Sequence, residues 1–167
     1  MGVRVIPFDD VSSPSHTTAL YVMGHVAVSA ARLRYVCMAM LDKMDGRSTL
    51  DMMSEGADIY EYGDPLAVLD ARLRILTTVG SSELPELRTF SARIGAARQI
   101  VDDFNHGVLD FTGCIRRVTD LDVCVVEFND LPDLVNAVAG ITEAWTAATQ
   151  YLYGNKAEVF ETWLAKC

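Results

Sequence analysis

Ala96-Ala97-Arg98-Gln99-Ile100-Val101-Asp102-Asp103-Phe104-Asn105-His106-Gly107 is the stretch on which the reading of this chain turns. Leading into and through it, Leu84, Leu87, Phe90, Ile94, Ala97, Val101, Phe104 and Val108 recur at three- and four-residue steps, which places apolar side chains on one face of a helix. The spacing predicts a long helix over about 83–109, with Ser82 at its start and Pro85 in its first turn. Arg98, Asp102, Asp103, Asn105 and His106 crowd its C-terminal end. Gly107 suits a left-handed terminating residue, and His106 sits well beside the negative end of a helix.

Beyond Gly113 the period shortens. Cys114-Ile115-Arg116-Arg117-Val118-Thr119 and Val123-Cys124-Val125-Val126-Glu127-Phe128 are β-rich runs joined by Asp120-Leu121-Asp122, which predicts a two-stranded hairpin at about 114–128. An isolated hairpin is marginal in water, so it is expected to lie against helices. Upstream, residues 1–12 read as an extended lead-in, and Ser13-Pro14 opens a first long helix to about 44, closed by Gly46. Its stripe runs through Leu20, Met23, Val26, Ala30, Leu33, Cys37, Met40 and Met44. A short helix from Ser48 or Thr49 to Glu55 precedes an irregular connection. Asp64-Pro65 starts a second helix ending near Gly80, with Leu66, Leu69, Leu73, Leu76 and Val79 on one face.

Asn129 or Asp130 caps the last long helix, in which Leu134, Val135, Val138, Ile141, Trp145, Ala148 and Leu152 form a stripe ending at Gly154. A terminal helix over 156–166 carries Phe160 and Trp163 on a face that docks on the domain or binds a partner. The expected fold class is therefore mainly α: a single-domain helical bundle with a small two-stranded β-hairpin between the third and last long helices.

Composition narrows the function. A chain of 167 residues, half of them hydrophobic, is long enough for one domain with a real core. No apolar run approaches the roughly 20 residues that span a bilayer, and Met1-Gly2-Val3-Arg4-Val5-Ile6-Pro7 lacks the apolar core of a secretion signal. A cytoplasmic location with no membrane partner is expected. The net charge of −9 opposes attraction to phosphate backbones, which disfavours RNA and DNA as partners. Cys37, Cys114, Cys124 and Cys167 have no C-x-x-C spacing, and His16 and His25 are nine residues apart, so no metal is expected. Cys37 follows the apolar spacing of its helix and belongs in the core. There is no Glu-x-x-His pair, phosphate-binding glycine loop or Gly-x-Ser-x-Gly elbow, and no cofactor is expected.

The helical order and the residues around Asn105-His106-Gly107 resemble the HEPN superfamily of helical-bundle proteins over roughly residues 15–153. The resemblance implies a metal-independent endoribonuclease site in which an arginine stabilises phosphate charge and a histidine four to six residues farther on assists attack by the RNA 2′-hydroxyl. His106 matches that histidine. Val101 or Asp102 stands where the arginine belongs, and the nearest arginine, Arg98, lies about 80° around and about 12 Å along an ideal helix from His106. Asp102 and Asp103 also place negative charge where a phosphate needs positive.

The motif is thus degenerate, and the expectation is a non-catalytic interaction or regulatory protein on a HEPN-like scaffold, antitoxin-like or a phage-encoded inhibitor. Its alternative is a dimeric toxin or defence ribonuclease using Arg98, Asn105 and His106. The resemblance implies pairing, so a homodimer is expected, with Arg98, Asp102 and Asp103 at its interface or with Phe160 and Trp163 meeting a protein partner.

Overall fold

A computed structural model describes residues 14–47, 62–79, 85–106, 108–109, 115–118, 124–128 and 131–165. The expected lead-in over 1–12 and the short helix after Ser48 lie outside the described residues, as do Ser82, Gly107, Asn129 and Asp130. Most of the described chain is helical: α1 (Pro14–Met44), α2 (Pro65–Val79), α3 (Pro85–His106), α4 (Leu131–Tyr153) and α5 (Ala157–Leu164). No helix among the described residues is long and apolar enough to cross a membrane.

Local chemistry sets the helix ends. Gly46 takes φ +71° just past α1, a conformation that costs most residues strain but not glycine, and the Arg47 N–H closes the turn on the Asp42 carbonyl at 2.8 Å. At the head of α2 the Asp64 carboxylate accepts the Leu66 N–H at 3.1 Å, satisfying a donor that has no partner within the helix. The third helix is shorter than its apolar period suggests. Pro85 is its first residue rather than an inner one, and it stops at His106.

Val108, which continues the helical spacing, instead belongs to β1 (Val108–Leu109). The backbone of β1 pairs antiparallel with β2 (Ile115–Val118), and β2 pairs with β3 (Cys124–Phe128), Arg117 standing opposite Val125. The turns of this segment lie outside the described residues.

The larger of two buried clusters among the described residues joins the helices, the smaller being Val22 with Leu134 and Ala137. The larger takes Leu33, Cys37 and Met40 from α1, Leu69 and Leu73 from α2, Leu87, Phe90, Ile94 and Ala97 from α3, and Ile141, Ala144 and Ala148 from α4. The alanines of α4 let α1 come close. Gly140 does the same toward α3, because a Cβ there would lie 3.1 Å from Ile100 Cδ1. Helices α1 and α4 run in the same direction: Val22 and His25 share a surface groove with Val135 and Val138, while Tyr35 and Val36 share another with Trp145 and Thr149.

Three stripe assignments change. Leu20 and Val135 are exposed, each on the side of its helix turned away from the buried residues. Trp145 is only partly buried, flanking the core with the Arg32 guanidinium 5.6 Å from its ring centre. Phe160 and Trp163 are fully enclosed, which overturns their assignment as partner-binding residues. They seat α5 against its own domain, with Tyr151 packed 4.8 Å from the Trp163 ring and Phe90 behind Tyr151 at 4.6 Å.

Candidate functional site

The polar cluster of α3 is built by two helices, and the sequence stretch shows only one of them. Asp70, on α2, is a carboxylate with 1% of its side chain exposed. It accepts the Arg74 Nε–H at 2.9 Å within its own helix and an Arg98 terminal N–H at 3.0 Å from α3. A buried carboxylate is tolerated only when charge and hydrogen bonds compensate for lost water, and these two guanidinium groups supply both.

Arg98 meets a second acid on its inner side. Its Nε is closed off from solvent and faces Asp102 Oδ2 at 3.6 Å, an ion-pair distance too long for a hydrogen bond. Arg98 is therefore held between Asp70 and Asp102, on two different helices. Gly95 clears the space for this arrangement, because a Cβ there would stand 3.2 Å from Asp70 Oδ1.

Asp103 is buried and accepts the Gln99 side-chain amide at 2.8 Å. It turns into the bundle, so it is neither a surface acid facing a phosphate nor a contact for a second copy. Asn105 is exposed on the last turn, and His106 is the final helical residue. The structure thus joins Arg98 to Asp70 and Asp102, pairs Asp103 separately with Gln99, and leaves Asn105 at the helix end. Asp70 and Gly95 were missed from the sequence. The signal for Gly95 was present as a lone helix-interior glycine one turn before Arg98. Nothing in the spacing of Asp70 ties it to a residue so far along the chain.

A second polar cluster closes the C-terminal end of α1 against α2. The Arg72 fork grips both oxygens of Asp45 at 2.6 and 3.3 Å, and the Tyr62 hydroxyl lies 2.8 Å from Asp45 and 3.0 Å from buried Asp42. The hydrogen bond from Arg72 lowers the Asp45 pKa below the ordinary carboxylate value. Burial, followed by the hydrogen bonds to Asp45 and Asp42, pushes the Tyr62 phenol well above its usual range. Tyr62 is thus a fixed donor rather than a proton-transfer group.

Between the start of α3 and α4 lies an open cleft of about 760 Å³, floored by Phe90 and Tyr151 and rimmed by Glu86, Arg93, Glu143 and Lys156. Among the described residues its lining holds no cysteine, serine or histidine. Among the described residues no group of three or more histidine, cysteine, aspartate or glutamate side chains could hold a metal ion. The Cys37 thiol is completely buried and its pKa is driven far upward, first by desolvation and then by Asp64, which makes it an inert core group. Comparison with known proteins finds no matching family model, no similar curated protein and no similar solved structure.

Proposed function

We propose that this protein is a non-catalytic interaction or regulatory protein on a HEPN-like helical scaffold, working in the cytoplasm as a homodimer. A regulator of the antitoxin or inhibitor kind fits this reading. The small hairpin over about 114–128, packed against the helices, is part of the proposed scaffold, and the antiparallel pairing of Ile115–Val118 with Cys124–Phe128 supports it.

One observation carries the proposal: the arginine nearest to the degenerate nuclease motif is occupied. An arginine that stabilises a phosphate must present its fork to solvent, whereas Arg98 spends one terminal nitrogen on Asp70 and turns its Nε toward Asp102. Freeing it leaves a buried carboxylate with one of its two cations removed. The net charge of −9 opposes RNA independently.

Incubation of the purified protein with mixed single-stranded and structured RNA tests the reading. Intact RNA is expected for wild type and for His106→Ala alike. Cleavage by wild type that disappears in His106→Ala establishes the ribonuclease instead.

A further inference from the structure

We propose that the outward face formed by α1 and α4 is the surface on which two copies of this chain join. The inference rests on the self-association proposed above and gives it a location. That location differs from both expected from the sequence, since Arg98 is engaged inside its own chain and Phe160 and Trp163 are buried.

On α1, Tyr21, His25, Val28, Arg32 and Tyr35 follow one another at steps of four and three, the seam spacing of helices that pack side by side. Tyr21, Val28 and Tyr35 are 68%, 51% and 53% exposed, unusual for large apolar side chains aligned on one helix face. On α4, Val135, Ala139, Thr142, Thr146 and Thr149 repeat the same steps. Because α1 and α4 run in the same direction with Arg32 beside Trp145, the two seams match in height, Tyr21 with Val135 and Tyr35 with Thr149.

The two seams differ in size, and that difference selects the occupant. The α1 seam is large and protruding, whereas most of the α4 seam is alanine and threonine. A two-fold axis lying in the face and parallel to the helices sets α1 of one copy over α4 of the other at unchanged height. Large side chains then meet small ones twice, as a self-complementary interface requires. The threonines can be covered without stranding a donor: Thr142, Thr146 and Thr149 hydroxyls already donate to the carbonyls of Val138, Thr142 and Trp145 at 2.8, 2.8 and 2.9 Å.

Charge points the same way. The chain carries 23 acidic residues against 14 basic ones, so two copies repel over most of their surface. None of the ten seam positions is acidic, and Arg32 is their one fixed charge. Glu143 borders the α4 seam beside Thr142. It stands two residues before Trp145, hence about 3 Å along the axis from the height of Arg32. The same two-fold axis brings Arg32 of each copy to Glu143 of the other, within reach of a guanidinium.

Sedimentation of the full chain over a micromolar concentration series tests the proposal, with circular dichroism confirming unchanged helix content in each variant. Wild type is expected to be a dimer. Val28→Glu, which buries an unpaired carboxylate in the joined face, is expected to raise the dimer dissociation constant about a hundredfold. Arg32→Glu is expected to weaken the dimer about tenfold, and adding Glu143→Arg to restore it. A wild-type dissociation constant in Val28→Glu overturns the location but leaves self-association standing, and dissociation by Arg98→Glu alone does the same. A double charge variant no tighter than Arg32→Glu overturns the two-fold pairing, while a monomeric wild type overturns self-association itself.

Discussion

Arg98 shows what a residue's neighbours add to its sequence. Its ion pair with Asp102 at i, i+4 was readable from helical geometry, and so was the poor fit of both to a phosphate site. Its bond to Asp70 was not, because that partner lies on a different helix and was brought near only by packing. The pairing makes Asp70→Ala costly: two guanidinium groups lose their shared acceptor and Arg98 Nε stays enclosed. A loss of about 2–4 kcal/mol in urea unfolding is expected, with helix content retained in the folded variant. Gly95→Ala crowds the same carboxylate, and a smaller loss of about 1 kcal/mol is expected by the same measurement, partly offset by the better helix propensity of alanine. Cys37 gives a chemical readout of burial. In a variant with Cys114, Cys124 and Cys167 replaced by serine, its thiol is expected to resist alkylation at pH 8 until denaturant is added, and rapid native-state labelling contradicts that placement.

Among the elements, the apolar period located the four long helices but not how deeply each side chain sits. Trp145 and Trp163 both follow helical stripes. Trp163 is enclosed by Tyr151 and Phe160, while Trp145 sits at the edge of α4 beneath Arg32. Truncating Trp163 is therefore expected to cost about 3–5 kcal/mol, and Trp145→Ala about 1–2 kcal/mol, in matched urea titrations. The reverse order places α5 off the core. The join between α1 and α2 has a pH signature. Since Arg72 lowers the folded pKa of Asp45, the carboxylate stabilises the fold above its ordinary pKa, and the contribution is lost as pH falls through the lower folded value. Thermal midpoints taken downward from about pH 5 are expected to fall more steeply in wild type below about pH 4 than in Arg72→Gln. Equal slopes show that this exposed pair contributes nothing measurable. The end of α3 was legible only to within a few residues, because Val108 keeps the helical spacing while its backbone pairs with Arg116.

For the whole molecule, composition and periodicity made the helical character legible, while the role of the polar cluster was not, because it depends on which helices are neighbours. The proposed role in association rather than phosphate cleavage draws on an acidic chain, on Arg98 being paired with Asp70 of a neighbouring helix, and on the exposed Tyr21, Val28 and Tyr35 along α1. The claim beneath that reading is that Arg98 is a structural cation joining α3 to α2. A double-mutant cycle on Arg98→Ala and Asp70→Ala, measured by urea unfolding, tests it most directly. A coupling of about 1–3 kcal/mol is expected from their contact. Coupling indistinguishable from zero, with Arg98→Ala as stable as wild type, leaves the arginine free for a ligand and contradicts the account.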